Sequence, residues 1–198
     1  MSCHICGSEG LYTCYFCGNY VCNEHIRFAL ICSNCFKRRD VEFSIREASI
    51  ADKKFISELV RKFWGEDLQI SFGQEFIVKD LPAYVSIVHD EIAGFISFCN
   101  FNKSDMLIVA LAVLPEYQGL GIGKALVSAV ENKARELSKE RLLVSTSNDD
   151  VLALLFYQSI GFRIYEIVPN VIAEKHGEVI KGQFEIPVLD EIRLYKTI

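Results

Sequence analysis

A chain of 198 residues is long enough for one good-sized domain and a small companion. With 51% hydrophobic and 24% charged residues it has the balance of a globular protein, and no apolar run reaches the length of a membrane-spanning helix. A net charge of -5 argues against a generally basic protein that coats nucleic acid, and the opening MSCHICGSEG lacks a basic-plus-apolar signal segment, so the expected location is the cytoplasm.

Seven of the eight cysteines fall within the first 35 residues, in the order C-x2-C-x7-C-x2-C-x4-C-x2-H-x6-C-x2-C. This makes four pairs, Cys3/Cys6, Cys14/Cys17, Cys22/His25 and Cys32/Cys35, each with the two-residue gap that lets both side chains grip one tetrahedral metal. Eight ligands make two zinc sites. A disulfide framework fits less well, because seven cysteines with a matching histidine, in a chain without a secretory signal, point to metal. Pairing along the chain can be sequential or interleaved. With four residues between Cys17 and Cys22, the interleaved cross-brace, first pair with third and second with fourth, is the compact solution. His4 is expected to face solvent, and Cys99, alone within an apolar strand, to lie in the core.

The spacing and the YTCYFCGNYVCNEH stretch resemble the small cross-braced fingers of the B-box and AN types, with Cys32/Cys35 in place of the histidine-containing pair common there. So short a segment cannot bury a proper core, so metal binding supplies its folding free energy. With every position closed by a protein ligand, the zinc is structural rather than catalytic. Arg27, Lys37, Arg38 and Arg39 face Glu9, Glu24 and Asp40, and thiolates in excess of the zinc charge tip the balance to acidic. That suits a protein-contact module better than a nucleic-acid finger. Tyr12, Tyr15, Phe16, Tyr20 and Phe28 form either its mini-core or its contact surface.

The Lys37-Arg38-Arg39 run marks a solvated linker, and the expected division is a finger and linker over residues 1–40 and a second domain over 41–198. The second domain opens with a short strand, Phe43 to Arg46. Ile50 to Trp64 follows, where Phe55, Leu59 and Phe63 recur at helical spacing up to Gly65. Residues 66–81 commit to neither period. Tyr84 to His89 and Ile92 to Phe101 read as a hairpin turning at Asp90-Glu91, with Gly94 as a bulge. Met106 to Leu114 is an unbroken apolar run, short and β-branched enough for a buried central strand. The helix after it carries Ile122, Leu126, Ala129, Val130 and Leu137 on one face and Glu131, Lys133, Arg135 and Glu136 mostly on the other. Leu142 to Ser145 is a strand, Asp149 to Ser159 a helix, Phe162 to Val168 a strand and Ile192 to Tyr195 the last strand. Ile172 to Lys181 is a further candidate helix.

Between the central strand and its helix runs PEYQGLGIG. Gly119, Gly121 and Gly123 remove alternate side chains from the turn, which frees its dihedrals and opens its peptide groups to close approach by a ligand. Bare N–H donors at a helix N-terminus favour an anion, most naturally a phosphate. The spacing excludes two phosphate motifs. A P-loop needs four residues between Gly and Gly-Lys and then Ser or Thr, whereas three separate Gly119 from Gly123-Lys124, and Ala125 follows. A dinucleotide fingerprint needs glycine where Lys124 stands.

The stretch resembles the pyrophosphate-binding signature of the GNAT superfamily of acyl-CoA N-acyltransferases, Arg/Gln-x-x-Gly-x-Gly/Ala, at Gln118, Gly121 and Gly123. Val113 and Pro115 supply the Val-x-Pro typical of that family's fourth strand. The order of elements is similar to the GNAT fold across residues 41–198: α/β, with a mixed, mainly antiparallel sheet flanked by helices, here with a small N-terminal zinc finger. The resemblance implies acetyl-CoA as cofactor, its pyrophosphate on Gln118, Gly119, Leu120, Gly121, Ile122, Gly123 and Lys124. It further implies that pantetheine lies between splayed fourth and fifth strands, against the backbone of Leu111, Ala112 and Val113. A second match, SNDDVLALLFYQSIGF over Ser147 to Phe162, is similar to the family's helix ending in Tyr-x-x-x-Gly-Phe, whose tyrosine hydrogen-bonds the coenzyme A sulfur. Here that residue is Tyr157. Read from its neighbours alone, Tyr157 also suits an aromatic core with Leu154, Phe156 and Phe162. The family's Asn seven residues before the tyrosine is replaced by Asp150, with Asn148 nearby as the polar contact carried over.

The reaction so implied is direct acyl transfer, in which a neutral amine attacks the thioester, an oxyanion forms and thiolate leaves. Backbone N–H near Val113 serves the oxyanion. Tyr157, with a reference pKa of about 10, serves as general acid to the thiolate. The central strand offers no carboxylate as base, which leaves Glu75, Asp105 and Glu191 as candidates. The expected acceptor is a primary amine of a protein or peptide, docked by the finger. A small-molecule amine acetyltransferase and a non-catalytic CoA-binding zinc-finger adaptor are the alternatives.

Overall fold

Two antiparallel pairs of very short strands open the chain in the computed structural model, which describes residues 1–14, 18–27, 31–34, 41–177 and 179–198. β1 (Tyr12–Thr13) pairs with β2 (Tyr20–Val21), and β3 (Ile26–Arg27) with β4 (Ile31–Cys32). Ladders of two residues cannot hold themselves together. What they enclose is a cluster of Val21 with the buried Cys3, Cys14, Cys22 and Cys32, flanked by Ile5, Tyr12 and Ile26. The core of this segment is therefore made largely of thiol side chains. Tyr12 packs against it, whereas Tyr20 is 37% exposed. Tyr15, Phe16, Phe28 and the basic run at 37–39 lie outside the described residues.

The remaining strands are β5 (Ser44–Glu47), β6 (Leu68–Ser71), β7 (Gln74–Ile77), β8 (Ala83–Val88), β9 (Glu91–Asn100), β10 (Asp105–Val113), β11 (Arg141–Ser147), β12 (Arg163–Val168), β13 (Ile180–Lys181), β14 (Pro187–Val188) and β15 (Glu191–Thr197). Seven of them form one sheet in the order β12-β15-β11-β10-β9-β8-β5. Every pairing in it is antiparallel except β10 with β11. A parallel pair needs a crossover, and it is made by α2 (Ile122–Glu136). α1 (Lys53–Trp64) covers one face, meeting Val85, Phe95, Ala110 and Ala112 with Ile56, Leu59 and Val60. α2 and α3 (Val151–Ser159) cover the other, where Leu126, Val130 and Tyr157 meet Ile96, Met106, Ile108, Val144 and Leu194. The result is a mixed α/β sheet, mostly antiparallel, flanked by helices.

Local chemistry sets the boundaries. Asp52, at the head of α1, accepts from the Ser49 amide and hydroxyl at 2.7 Å each and takes both Arg46 terminal nitrogens, so one carboxylate ties β5 to the helix start. Gly65 ends α1 in the left-handed region, φ 81°, as expected for a terminating glycine. The β8–β9 turn is His89–Asp90, both at positive φ, and the extra residue of the hairpin is Ala93 rather than Gly94. Gly94 is needed for a different reason: a Cβ there would stand 2.6 Å from the Ala112 carbonyl.

Residues 66–81 take a definite form, and three further expectations need correction. Residues 66–81 contain the β6–β7 hairpin, closed by Phe72–Gly73 at positive φ. The helix expected over 172–181 is α4 (Val171–His176), stopped by Gly177 at φ 71°, after which β13 and β14 pair as a second small hairpin. Glu131, assigned to the outer face of α2, is buried and salt-bridged to Lys196, while Leu137 is exposed. Periodicity places a residue on a helix face but does not reveal that another strand brings it a cation. Cys99 is half-buried rather than fully core, and burial pushes its thiol up.

Candidate active site and N-terminal metal cluster

β10 and β11 pair only from Asp105 with Arg141 to Ile108 with Val144. Directly after Ile108 the β9–β10 ladder shifts register, leaving Val109 as an extra residue. A bulge bends its strand and increases local twist. Beyond it β10 continues to Val113 and β11 to Ser147 without pairing, so the two diverge and the backbone of Val109–Val113 facing β11 has no strand partner. This gap is where Leu111, Ala112 and Val113 lie.

At its end the chain turns through Pro115–Tyr117 into the glycine loop. The Gln118 side-chain amide donates to the Val113 carbonyl at 3.0 Å, folding the loop back over the strand end. Gly119 and Gly121 stand at φ 77° and 85°, and Gly121 is the N-cap of α2. A Cβ at Gly121 would meet nothing within 4 Å, so the glycine answers a backbone requirement and leaves open space above the helix start. Gly123 differs. Its Cβ would press on the Phe156 ring at 3.3 Å, so it lets α3 pack closely on α2 rather than a ligand on the loop. Leu120, Ile122 and Lys124 complete the turn, with Ile122 buried in the core and Lys124 exposed.

Tyr157 belongs to the same core as Ile108 and Val144, the last paired residues before the gap. Its ring packs edge-on against Phe156 and Phe162 at 5.2 and 5.3 Å, and its hydroxyl makes no hydrogen bond among the described residues. Burial, reinforced by the charge of Asp150, pushes the phenol well above its ordinary value. Asp150 caps α3 through the Ala153 amide at 3.0 Å, and burial raises its carboxyl in turn.

The other sequence-assigned residues are spread more widely. Asn148 is fully used within the protein: it accepts from the Leu189 and Asp190 amides at 2.8 and 3.0 Å and donates to the Pro187 carbonyl at 2.9 Å. It is a clamp on the chain entering β15. Asp105 stands at the opposite end of β10 from the glycine loop, buried, held bidentately by Arg141 Nε and Nη2 and by Asn102, and Arg141 lowers its pKa. Glu75 is exposed on β7. Glu191 is the carboxylate at the level of the gap, paired in register with Ser147, accepting from the Phe72 amide at 2.8 Å and from Arg193. Sequence reading missed its partners Arg193 and Phe72 and the neighbouring Ser71–Ser145 hydroxyl pair, though Glu191 and Arg193, two apart on one strand, were bound to share a face.

In the N-terminal segment, the first and third ligand pairs converge. The ligand atoms of Cys3, Cys6, Cys22 and His25 all lie within 4.8 Å of one another, a set that could hold a metal ion. Burial would push the Cys3 thiol up, but the Cys22, Ile5 and Cys6 backbone amides outweigh it and bring it down to about 6. His4 is exposed and outside the set. Of the other two pairs, Cys14 and Cys32 are adjacent, the Cys32 amide donating to the Cys14 sulfur at 3.2 Å; Cys17 and Cys35 lie outside the described residues.

Among the described residues no helix is long and apolar enough to cross a membrane. The family described as Acetyltransferase (GNAT) matches residues 51–162. The chain is 32% identical over 114 residues to the uncharacterized N-acetyltransferase YvbK of Bacillus subtilis, covering 57% of this chain and 72% of that protein. It is 26% identical over 164 residues to the L-amino acid N-acyltransferase MnaT of Escherichia coli, covering 75% and 95%. In fold it is similar to a GNAT family acetyltransferase from Elizabethkingia anophelis solved with acetyl-CoA bound, at TM-score 0.63 and 22% identity over 81% of this chain and all of that one. The chain belongs to the GNAT acetyltransferase family and is an N-acetyltransferase.

Proposed function

We propose that the protein transfers the acetyl group of acetyl-CoA to a primary amine of a protein or peptide. The observation that carries the cofactor is the glycine loop, whose left-handed Gly119 and Gly121 present α2's N-terminus beside the gap in the sheet. Helix-end amides and dipole suit the pyrophosphate, with Gln118 bracing the turn and Lys124 adding charge. Pantetheine then fills the gap, and its amides pair with the edge of Leu111 to Val113 that no strand covers.

In the reaction the amine lone pair attacks the thioester carbon, and the C–O π pair moves to oxygen beside the strand-end amides near Val113. Collapse of that oxyanion breaks the C–S bond, and the thiolate takes a proton from Tyr157. The ammonium formed on the acceptor loses its proton to Glu191, which stands at the level of the gap, directly or through water. Asp105, tied to Arg141 far from the loop, holds β10 to β11 rather than taking a proton. Asn148 shapes the rim without contacting the cofactor.

Cys3, Cys6, Cys22 and His25 hold one structural zinc, and Cys14, Cys17, Cys32 and Cys35 a second, in a finger spanning residues 1–40. Zn–S bonds of about 2.3 Å at tetrahedral angles put sulfurs about 3.8 Å apart. The Cys6 and Cys22 sulfurs stand 3.7 Å apart, and His25 Nδ1 lies 3.2 and 3.8 Å from the Cys22 and Cys3 sulfurs. The finger docks the acceptor. The decisive assay incubates purified protein with labelled acetyl-CoA and peptide or protein acceptors, reading label transfer and free thiol. Label on an amine with one thiol released per transfer is expected; acetyl-CoA binding without transfer would leave a cofactor-binding adaptor instead.

A further inference from the structure

The gap between β10 and β11 passes through the sheet. The glycine loop and Tyr157 lie with α2 and α3, so the thioester enters from that face and the amine must arrive from the other. Residues paired across neighbouring strands project to the same side. Ser145 pairs with Arg193, Ser147 with Glu191, and Glu166 with Arg193, so all five face the acceptor side, while Ile192 and Leu194 go to the core. This half of the face is polar, unlike the apolar half under α1. Its roof is the β6–β7 hairpin: Ser71 and Ser145 hydroxyls meet at 2.7 Å, and the Phe72 amide donates to Glu191.

The cation at this mouth already has its partners. Arg193 donates from Nε to Glu191 at 2.9 Å and from Nη1 to Glu166 at 2.9 Å; Nη2 stands 2.8 Å from Glu191, and the guanidinium lies 4.7 Å over the Phe72 ring. Arg163, on the same face, pairs with Tyr195, a rung below where the strands part. Lys175, on the insertion that follows β12, is taken by Glu66 at 3.1 Å. Where β11 leads into α3, Asp149, only 6% exposed, accepts from the Gln183 amide at Oδ2 and leaves Oδ1 with no partner among the described residues. A buried carboxylate oxygen without a donor favours positive charge nearby. Two carboxylates flank one guanidinium at the mouth, and Asp149 stands close by where β11 leads into α3.

Resting on the transferase reading above, we propose that this site selects a cationic amine with no carboxylate beside the reacting nitrogen, as in a polyamine or a basic peptide amino terminus. A free amino acid would bring its carboxylate to Glu191 and Glu166, where Arg193 is already held by both. Repulsion there would raise KM and leave thioester chemistry untouched.

The test uses the full-length, metal-replete protein with saturating acetyl-CoA. Alaninamide is compared with alanine at equal free-base concentration, spermidine with a peptide bearing lysines after its free amino terminus, and that peptide with its glutamate counterpart. Alaninamide is expected to exceed alanine in kcat/KM by on the order of tenfold, about 1.4 kcal/mol, and lysine peptide to exceed glutamate peptide likewise, both margins shrinking with salt. Whichever of spermidine and the lysine peptide has the higher kcat/KM identifies the source of the amine. Glu166→Gln frees one edge of Arg193 and should narrow the alaninamide margin through the KM for alanine, without changing the KM for acetyl-CoA. Alanine matching alaninamide, with glutamate peptide matching lysine peptide, overturns the inference alone. Intact acetyl-CoA binding without transfer to any of these amines overturns the transferase reading, and the inference with it.

Discussion

Gly121 allows backbone strain and ligand contact to be separated at a single position. At φ 85° most side chains would strain the turn, but Asp and Asn tolerate the left-handed region, and no atom lies within 4 Å of the added Cβ. Gly121→Asp and Gly121→Asn should therefore both fold. The charged variant is expected to lose acetyl-CoA binding in calorimetry and the neutral one to weaken it less; equal, undiminished binding would move the pyrophosphate elsewhere. Tyr157→Phe removes only a hydroxyl that makes no hydrogen bond within the described protein, so stability and acetyl-CoA affinity should hold. Turnover should fall by roughly 10²-fold to 10⁴-fold, the range for loss of a general acid; wild-type turnover would leave Tyr157 to the aromatic core alone. Asp105→Asn tests the opposite assignment. Arg141 depresses this carboxyl, so its contribution to stability is present above about pH 4 and is lost as pH falls through the lower folded value. The variant should unfold more readily at neutral pH, by roughly 1–3 kcal/mol, yet keep the wild-type pH–rate profile while folded. Loss of the acidic limb of that profile would make Asp105 the base after all.

The elements differ in how far their residues announce them. Strand β10, α2 and the loop between them were legible because the apolar run, the glycines and the helical period are local signals that agree with one another. The gap beside β10 came from the family resemblance and was not legible in the residues themselves, since it depends on a bulge at Val109 whose neighbours are ordinary strand residues. Nor was the insertion between β12 and β15. Its apolar residues suit a helix up to 181, but Gly177 stops it, and Asn148, Asp149 and Asp150, far off in sequence, hold the β13–β14 segment beyond that stop. Gly182 sits so close that an added Cβ would stand 2.0 Å from Asp149 Oδ2. Gly182→Ala should lift the β13–β14 hairpin off the start of α3. Faster hydrogen exchange at the Gln183 amide is the expected readout, with acetyl-CoA affinity retained because the glycine loop is untouched. Protection equal to wild type would mean that the hairpin is held by something other than this clip.

At the scale of the whole molecule, two kinds of stability sit in one chain. The sheet carries two apolar clusters of its own, whereas residues 1–34 enclose chiefly the cysteines that would bind metal. The interleaving of Cys3/Cys6 with Cys22/His25 was legible because a two-residue gap makes a pair, and a four-residue link between pairs leaves little room for any other order. Which surface the proposed finger would offer was not legible, since that depends on what it would bind. Two zinc ions per chain are expected by elemental analysis, and a chelator should unfold residues 1–36 while the sheet melts at its usual temperature. A single zinc would end the second site. The purpose of the finger then becomes testable by removing it. A transferase site that needs only its glycine loop, gap and acceptor mouth can acetylate a simple amine unaided, so the proposed finger would act by raising the local concentration of a macromolecular acceptor. Deletion of Met1 to Lys37 should accordingly leave thioester hydrolysis and acetylation of small amines within about twofold, while weakening use of a protein acceptor by on the order of tenfold or more, mostly in KM. Should the truncated chain fail to fold or to bind acetyl-CoA, the finger is a structural part of the catalytic unit, and the chelator should then lower the melting temperature of the sheet as well.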